Sequence, residues 1–282
     1  MRSPFLPPPL AIPGALLWLV LPVLLVFPGA GALAQPAGQG SLPAVTVNAQ
    51  GSPEAVEKSY RKMMRGMDLF DRERSLSPGG LLRFKLLPRK RDTDMKNIAL
   101  EVAGKTVDFR VPVAADDTFT LPRNQKAFDE NAIVTPNRSR QTMTWRSEIR
   151  TPGLPPDTRR LGDLRLECRV GMEAGLLSNA PTLAGRLVSA LLDTPAYCEG
   201  KAPQYLFFAD KPLFSVALID GARREVLAAE MLYAGASINP DLDADLPYCD
   251  CEVLVDRTYF LPLGDRSWPD DTLVEFVHME NK

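Results

Sequence analysis

Histidine is almost absent from this chain: among 282 residues there is one, His278, four positions from the end. A His-rich metal site is therefore excluded, and a Ser-His-Asp or Cys-His group would have to recruit that single side chain. Cysteine is scarce as well, with four residues, none in the C-x2-C spacing of a zinc site. After residue 34 there is no Gly-x-Ser-x-Gly elbow, no P-loop and no dinucleotide fingerprint. Nor does any later apolar run reach the length that spans a bilayer. These absences remove most nucleophile-elbow, nucleotide-dependent and histidine-based chemistry. Disorder is not the alternative, because 45% of the residues are hydrophobic.

What is present begins with an export signal. Arg2 supplies one positive charge, an apolar stretch runs from Ala15 to Phe27, and Ala32 and Ala34 form an A-x-A pattern before Gln35. Pro22 and Pro28 interrupt and end the apolar stretch, which disfavours a membrane anchor. Residues 1–34 are thus read as a signal peptide, and the mature protein is expected in the periplasm or outside the cell. No cysteine lies near the cleavage point, so a lipid anchor is not expected. Export puts Cys168, Cys198, Cys249 and Cys251 in an oxidising compartment, where two disulfides are the default. Cys249 and Cys251 would point the same way from a strand, so bonding them to each other would distort the backbone. The expectation is that each joins one of Cys168 and Cys198, in an order the sequence leaves open.

Residues 35–52 are rich in Gly, Pro, Ala and Gln and read as a flexible linker, with a short strand allowed at Ala44–Val47. Ten of the 26 prolines fall within residues 1–53; the others punctuate the folded part. A helix is predicted from about Pro53 to Arg74, capped by Ser52, with Val56, Tyr60, Met63, Met64, Met67 and Phe70 on one face. From residue 80 the period becomes two. Leu82, Phe84 and Leu86 alternate with Arg83 and Lys85, and Val107, Phe109, Val111 and Val113 with Asp108 and Arg110. Leu164, Leu166, Cys168 and Val170 alternate with Arg165, Glu167 and Arg169. All three predict half-buried strands, with further strands at Ile98–Val102, Thr118–Leu121 and Thr142–Ile149. A central helix is predicted at about Pro181–Leu192. Strands then resume at Tyr205–Ala209, Leu213–Ile219, Arg224–Tyr233 (or a helix there), Cys251–Phe260 and Thr272–His278. The fold class is mainly β (α+β): an antiparallel β-sandwich-like core with an N-terminal amphipathic helix and one central helix. Residues 53–170 would form the helix and the sandwich-like region, and 171–282 a helix with a second antiparallel strand set packed on the first.

The run Ile98-Ala-Leu-Glu-Val-Ala-Gly104, followed by Val111-Pro-Val-Ala-Ala-Asp-Asp-Thr-Phe-Thr-Leu-Pro122, carries a resemblance. Over residues 98–138 the chain resembles transthyretin-like or carboxypeptidase-regulatory-like β-sandwich modules, in which an acidic turn precedes Phe-x-Leu-Pro. Asp117 stands where that family usually has glycine. The resemblance implies a non-catalytic, structural or binding module.

Several constellations bear on chemistry. Residues 58–91 hold eleven Lys and Arg against three acids, while residues 241–282 hold eleven acids against three bases. A basic segment can attract a polyanion, but interleaved aromatics and an overall basic chain are missing, so nucleic acid is not expected as a partner. Asp241, Asp243, Asp245 and Glu252 match the first, third, fifth and twelfth ligand positions of a calcium loop. Leu246 replaces the turn glycine of such a loop, and no other cofactor is indicated. Trp145 and Trp268 would stack on sugars if exposed, but would otherwise pack in a sheet and a turn. His278 alternates with Val274 and Phe276 and reads as a sheet residue. The densest signature, Arg160-Leu-Gly-Asp-Leu-Arg-Leu-Glu-Cys168, carries no assignable chemistry from its spacing. The sequence therefore predicts an exported, non-catalytic binding or envelope accessory protein with a protein or glycan partner. Its rivals are a carboxylate-dependent hydrolase of glycans or cell wall and a calcium-stabilised adhesion-type module.

Overall fold

The computed structural model describes residues 57–139, 142–176, 195–200, 205–233 and 254–279. All belong to one compact unit, Val47–Lys282. The protein is mainly β. In chain order the described elements are β1 (Lys58–Ser59), α1 (Tyr60–Arg72), β2 (Leu81–Pro88), β3 (Leu100–Ala103), β4 (Asp108–Val111), β5 (Thr118–Phe119), α2 (Gln125–Asp129), β6 (Ile133–Pro136), β7 (Met143–Arg150) and β8 (Thr158–Arg160). There follow α3 (Leu161–Glu173), β9 (Phe207–Phe208), β10 (Leu213–Asp220), β11 (Arg223–Val226), β12 (Thr258–Tyr259) and β13 (Leu273–His278), with short 3-10 turns between several of them. The strands form four sheets, ordered β1-β6-β3-β4, β5-β2-β7, β11-β10-β13-β8 and β12-β9. Every pairing is antiparallel.

Helix α1 begins at Tyr60, later than the expected Pro53, because Ser59 provides the cap: its Oγ accepts from the Lys62 N–H. Residues 53–56, with the expected cap Ser52, lie outside the described residues. Tyr60, Met63 and Met64 bury their side chains with Phe84, Leu86, Val102, Phe119 and Trp145 in one core. One turn further on, Leu69 and Phe70 enter a second cluster with Ile149, Leu166 and Val170. Gly66 lies where α1 meets α3. A Cβ there would stand 2.8 Å from the Cβ of Ala174 and 3.1 Å from the Val170 carbonyl oxygen, so only glycine lets the helices approach this closely.

The segment Leu164–Val170, expected as a strand, is the middle of helix α3. The period of two arose from two helical stripes offset by two residues. Leu161, Leu164, Cys168 and Met172, at spacings of three and four, face the core built by β10, β12 and β13. Leu166 and Val170, four apart, face the opposite way, toward α1 and Ile149. A helix buried on both sides loses the single apolar stripe by which helices are recognised.

The hairpin β10–β11 turns at Gly221-Ala222, pairing Asp220 with Arg223. Other strands are shorter than expected. Arg224–Tyr233 gives a strand only to Val226, then a 3-10 turn at Ala229–Met231. Of Cys251–Phe260, the described part is strand only at Thr258–Tyr259, preceded by a 3-10 turn at Val255–Arg257. The predicted helix Pro181–Leu192 and the strand Ala44–Val47 lie outside the described residues.

Candidate functional site

Strands β2 and β7 pair over eight residues, Leu81 opposite Arg150 through Pro88 opposite Met143. Alternation sends Phe84, Leu86, Trp145 and Ile149 into the cores. The same alternation brings Lys85, Leu87, Arg146, Glu148 and Arg150 to the other face. On a free sheet that face would be solvated. Here the segment from Tyr205 to Asp210 lies over it, with the Arg146 guanidinium 5.0 Å from the centre of the Phe208 ring.

The resulting half-buried charges are interlocked. The Lys85 ammonium is 2.6 Å from Asp210 and 3.6 Å from Glu148. Arg150 reaches both carboxylates, each at 3.1 Å. Burial raises the Asp210 carboxyl, but Lys85 and Arg150 outweigh it and hold Asp210 below the usual carboxylate range.

Deeper in, β7 is an outer strand of its three-stranded sheet, and helix α3 lies along it. The Glu167 carboxylate accepts the Ile149 N–H at 3.1 Å, and Asp163 accepts the Thr151 N–H at 2.8 Å. The spacing explains the fit: four helical residues rise about 6.0 Å, and two strand residues about 6.7 Å. Two acids at i and i+4 thus stand in for the carbonyls of a neighbouring strand. Ser147 Oγ donates to the Glu167 carbonyl, and Arg159 donates both to the Ile149 carbonyl and to the Glu167 carboxylate. Glu167 and Arg159 are each only 6% exposed. Burial pushes the Glu167 carboxyl above its ordinary range against the pull of Arg159. Burial opposes the charge on Arg159 too, yet the carboxylate beside it holds its proton more firmly than in free arginine. This network is the content of the 160–168 signature: of its four charged members, Asp163, Arg165 and Glu167 are buried and paired, and Arg160 pairs with Asp271. Arg165 donates to the carbonyls of Leu263, Asp265 and Trp268 and to the Asp270 carboxylate.

Beside the network opens a cavity of about 290 Å³. Lys85–Pro88 of β2, Asp116 and Asp117, Met95, Phe208–Asp210, Leu254 and Arg257 line it. The Asp116–Asp117 part is a tight turn: the Asp117 N–H bonds to the Ala114 carbonyl and the Ala114 N–H to the Thr118 carbonyl. Asp117 itself has φ 62, in the left-handed region that favours glycine. Burial raises the Asp117 carboxyl above its usual range, with Asp116 adding to the rise and Lys85 opposing it.

The sequence-derived candidates fall elsewhere. Cys168 bonds to Cys198, with Cα atoms 6.0 Å apart across 30 residues, and not to Cys249 or Cys251 as expected. The reason is the helix: on α3, Cys168 points into the core where the 3-10 turn Pro195–Glu199 packs, which a strand would not have brought together. Cys249 and Cys251 lie outside the described residues, as do Asp241, Asp243, Asp245 and Glu252. Among the described residues no three His, Cys, Asp or Glu side chains cluster so as to hold a metal. Trp145 is fully buried and Trp268 is 1% exposed, so neither offers a ring to a ligand. Trp145 packs 5.9 Å from Phe119, and Trp268 lies 3.4 Å beneath the Arg223 guanidinium. His278 ends β13, 3.2 Å from Asp157 and stacked on Phe276. The basic segment 58–91 is largely spent on internal contacts: Lys58 on the Leu176 carbonyl, Arg83 on Asp116, Arg89 on the Met143 carbonyl and Arg91 on Asp256.

Sequence reasoning missed the cavity because its walls come from four distant stretches of chain. One part left a signal in the sequence: the acidic pair Asp116-Asp117.

No protein-family model, curated protein or solved structure matches the chain. The Cys168–Cys198 disulfide is compatible with a secreted protein. Among the described residues no helix is long and apolar enough to cross a membrane.

Proposed function

We propose that this is an exported, non-catalytic binding or cell-envelope accessory protein of the periplasm or cell exterior. In this reading a sandwich-like β core carries a ligand site in the cavity beside β2 and β9. The observation that carries the proposal is the state of the carboxylates. Glu148, Glu167 and Asp210 are each closed by a lysine or arginine, whereas Leu87, Met95, Phe208 and Leu254 give the cavity an apolar wall. Locked ion pairs beside an apolar wall suit holding a ligand better than moving a proton. The resemblance of residues 98–138 to transthyretin-like modules points the same way. So do the A-x-A motif and the oxidised Cys168–Cys198 pair, which favour export.

One observation favours the hydrolase rival: Asp117 and Asp210 line one cavity with carboxyls displaced in opposite directions, as an acid and a base require. Native mass spectrometry of the protein recovered from the periplasmic fraction tests both readings. A small molecule that is retained, and released unchanged on denaturation, is the expected result. Turnover of peptidoglycan or a chromogenic glycoside, abolished by Asp210→Asn, would overturn the proposal in favour of the hydrolase.

A further inference from the structure

The cavity's charges can be paired off against one another. Lys85 is committed to Asp210 and Glu148. Asp116 is committed to Arg83 at 3.1 Å and to the Thr118 hydroxyl at 2.6 Å. Asp210 takes Arg150 as well as Lys85. Two charged side chains of the lining then remain. Arg257 is half-buried and, among the described residues, makes no ion pair; it spends one N–H on the Asp210 carbonyl, and its buried Nε finds no hydrogen-bond partner among them. Asp117 is half-buried too, and among the described residues its carboxylate makes neither a hydrogen bond nor a close ion pair, Lys85 acting on it only at longer range. Burying such groups unpaired is unfavourable, and Asp117 additionally holds a left-handed backbone that glycine would adopt without strain. The same cavity is also lined by the apolar residues Leu87, Pro88, Met95, Phe208 and Leu254.

A site with one unpaired cation, one unpaired anion and an apolar wall complements a molecule that carries both charges and an apolar branch. Resting on the binding reading above, we propose that the cavity takes a small zwitterion, a free α-amino acid with an apolar side chain. Arg257 receives the carboxylate, bidentate contact being the guanidinium's strength. Asp117 receives the ammonium, and the Leu87, Met95 and Phe208 wall receives the side chain. The volume, about 290 Å³, lies just below the ~300–1,000 Å³ of sites that hold drug-sized ligands, which suits one amino acid rather than a peptide. The alternative source of the same charges is a short peptide, whose termini stand further apart.

Isothermal titration calorimetry on the whole mature protein separates the possibilities, with L-leucine, N-acetyl-L-leucine, L-leucinamide and Leu-Leu as probes. L-Leucine is expected to bind, and each singly charged analogue to bind at least tenfold more weakly. The variants should fail in a crossed pattern. Arg257→Gln should lose the preference for leucine over leucinamide, and Asp117→Asn the preference for leucine over N-acetyl-leucine. A cooperative melt of each variant establishes that it is folded. Equal binding of leucine and its singly charged analogues would overturn the assignment, as would tighter binding of the dipeptide. If leucine does not bind while native mass spectrometry still shows a retained small molecule, the zwitterion assignment falls and the binding reading stands. If neither is seen, both fall.

Discussion

Replacing Glu167 by leucine should destabilise the protein by about 3–5 kcal/mol, the range for breaking a buried ion pair by removing one partner. Three consequences follow from the geometry. Arg159, 6% exposed, keeps its charge and loses its counterion. The Ile149 N–H loses its acceptor at 3.1 Å, and an orphaned buried donor alone costs about 1–3 kcal/mol. The leucine side chain recovers part of this through apolar burial, so the costs do not simply add. Urea unfolding followed by far-UV circular dichroism gives the free energy without the salt that guanidinium would add. For a domain of this size the melting temperature should drop by about 10 °C. Glu167→Gln keeps an oxygen for the Ile149 N–H while removing the charge, and should fall between wild type and Glu167→Leu. The double variant Arg159→Leu/Glu167→Leu removes both charges and should be less destabilised than the sum of the single variants, with a coupling of about 2 kcal/mol. A Glu167→Leu loss below about 1 kcal/mol, or single effects that add within about 0.5 kcal/mol, would refute the network as described.

Gly66→Ala should destabilise by about 1–3 kcal/mol through overpacking against Ala174, although alanine is the better helix former by about 1 kcal/mol; a stabilised variant in the same urea assay would contradict the close approach of α1 and α3. Removing the Cys168–Cys198 bond by double alanine substitution should cost roughly 3–4 kcal/mol from the chain entropy of the loop it closes, read as a lower urea midpoint. Asp117→Asn should raise stability at neutral pH by less than about 1 kcal/mol, since the site is partly exposed. The sign follows from the raised carboxyl: the folded state holds that proton to higher pH than the unfolded chain, so wild-type stability falls as pH rises through the window above the ordinary carboxylate value. The asparagine variant has no such loss, and melting temperatures measured from pH 4 to 7 should diverge with increasing pH; parallel curves would argue against it. For Asp210 the sign reverses. Its lowered carboxyl contributes stability above the ordinary value that is lost as pH falls through its folded value, and Asp210→Asn should flatten that acid limb.

The strands that could be read from the sequence are those with one buried and one polar face. In β2, Phe84 and Leu86 alternate with Arg83 and Lys85 and lie in register with β7 as alternation requires. β13 shares that alternation, with Val274 and Phe276 buried and Glu275 between them less so. α3 was not, because its two apolar stripes together imitate a strand and its acids and arginine are buried rather than solvated. The disulfide partner was lost with it, since Cys168 was placed on the wrong kind of element. The polar face of β2 and β7 was visible as a face, but nothing local announced that the Tyr205–Asp210 segment would cover it. Tertiary covering of that kind has no period. In the cavity only the acidic pair Asp116-Asp117 left a local mark, because a turn can be read from neighbouring residues, whereas Arg257 lies 140 positions away and became relevant through packing alone.

The pairing of Asp163 and Glu167 with the N–H groups of Thr151 and Ile149 has a consequence beyond stability. An outer strand with free N–H and carbonyl groups is a template on which another chain can add a strand. α3 occupies that template with side chains instead of backbone, so the edge is shut without the sheet growing. The Cys168–Cys198 bond anchors α3 on its opposite side. Reduction removes that tether from the helix that covers the β7 edge. The expected outcome is that reduced protein self-associates at urea concentrations where the oxidised protein does not; equal association of the two forms would argue against this role for the bond.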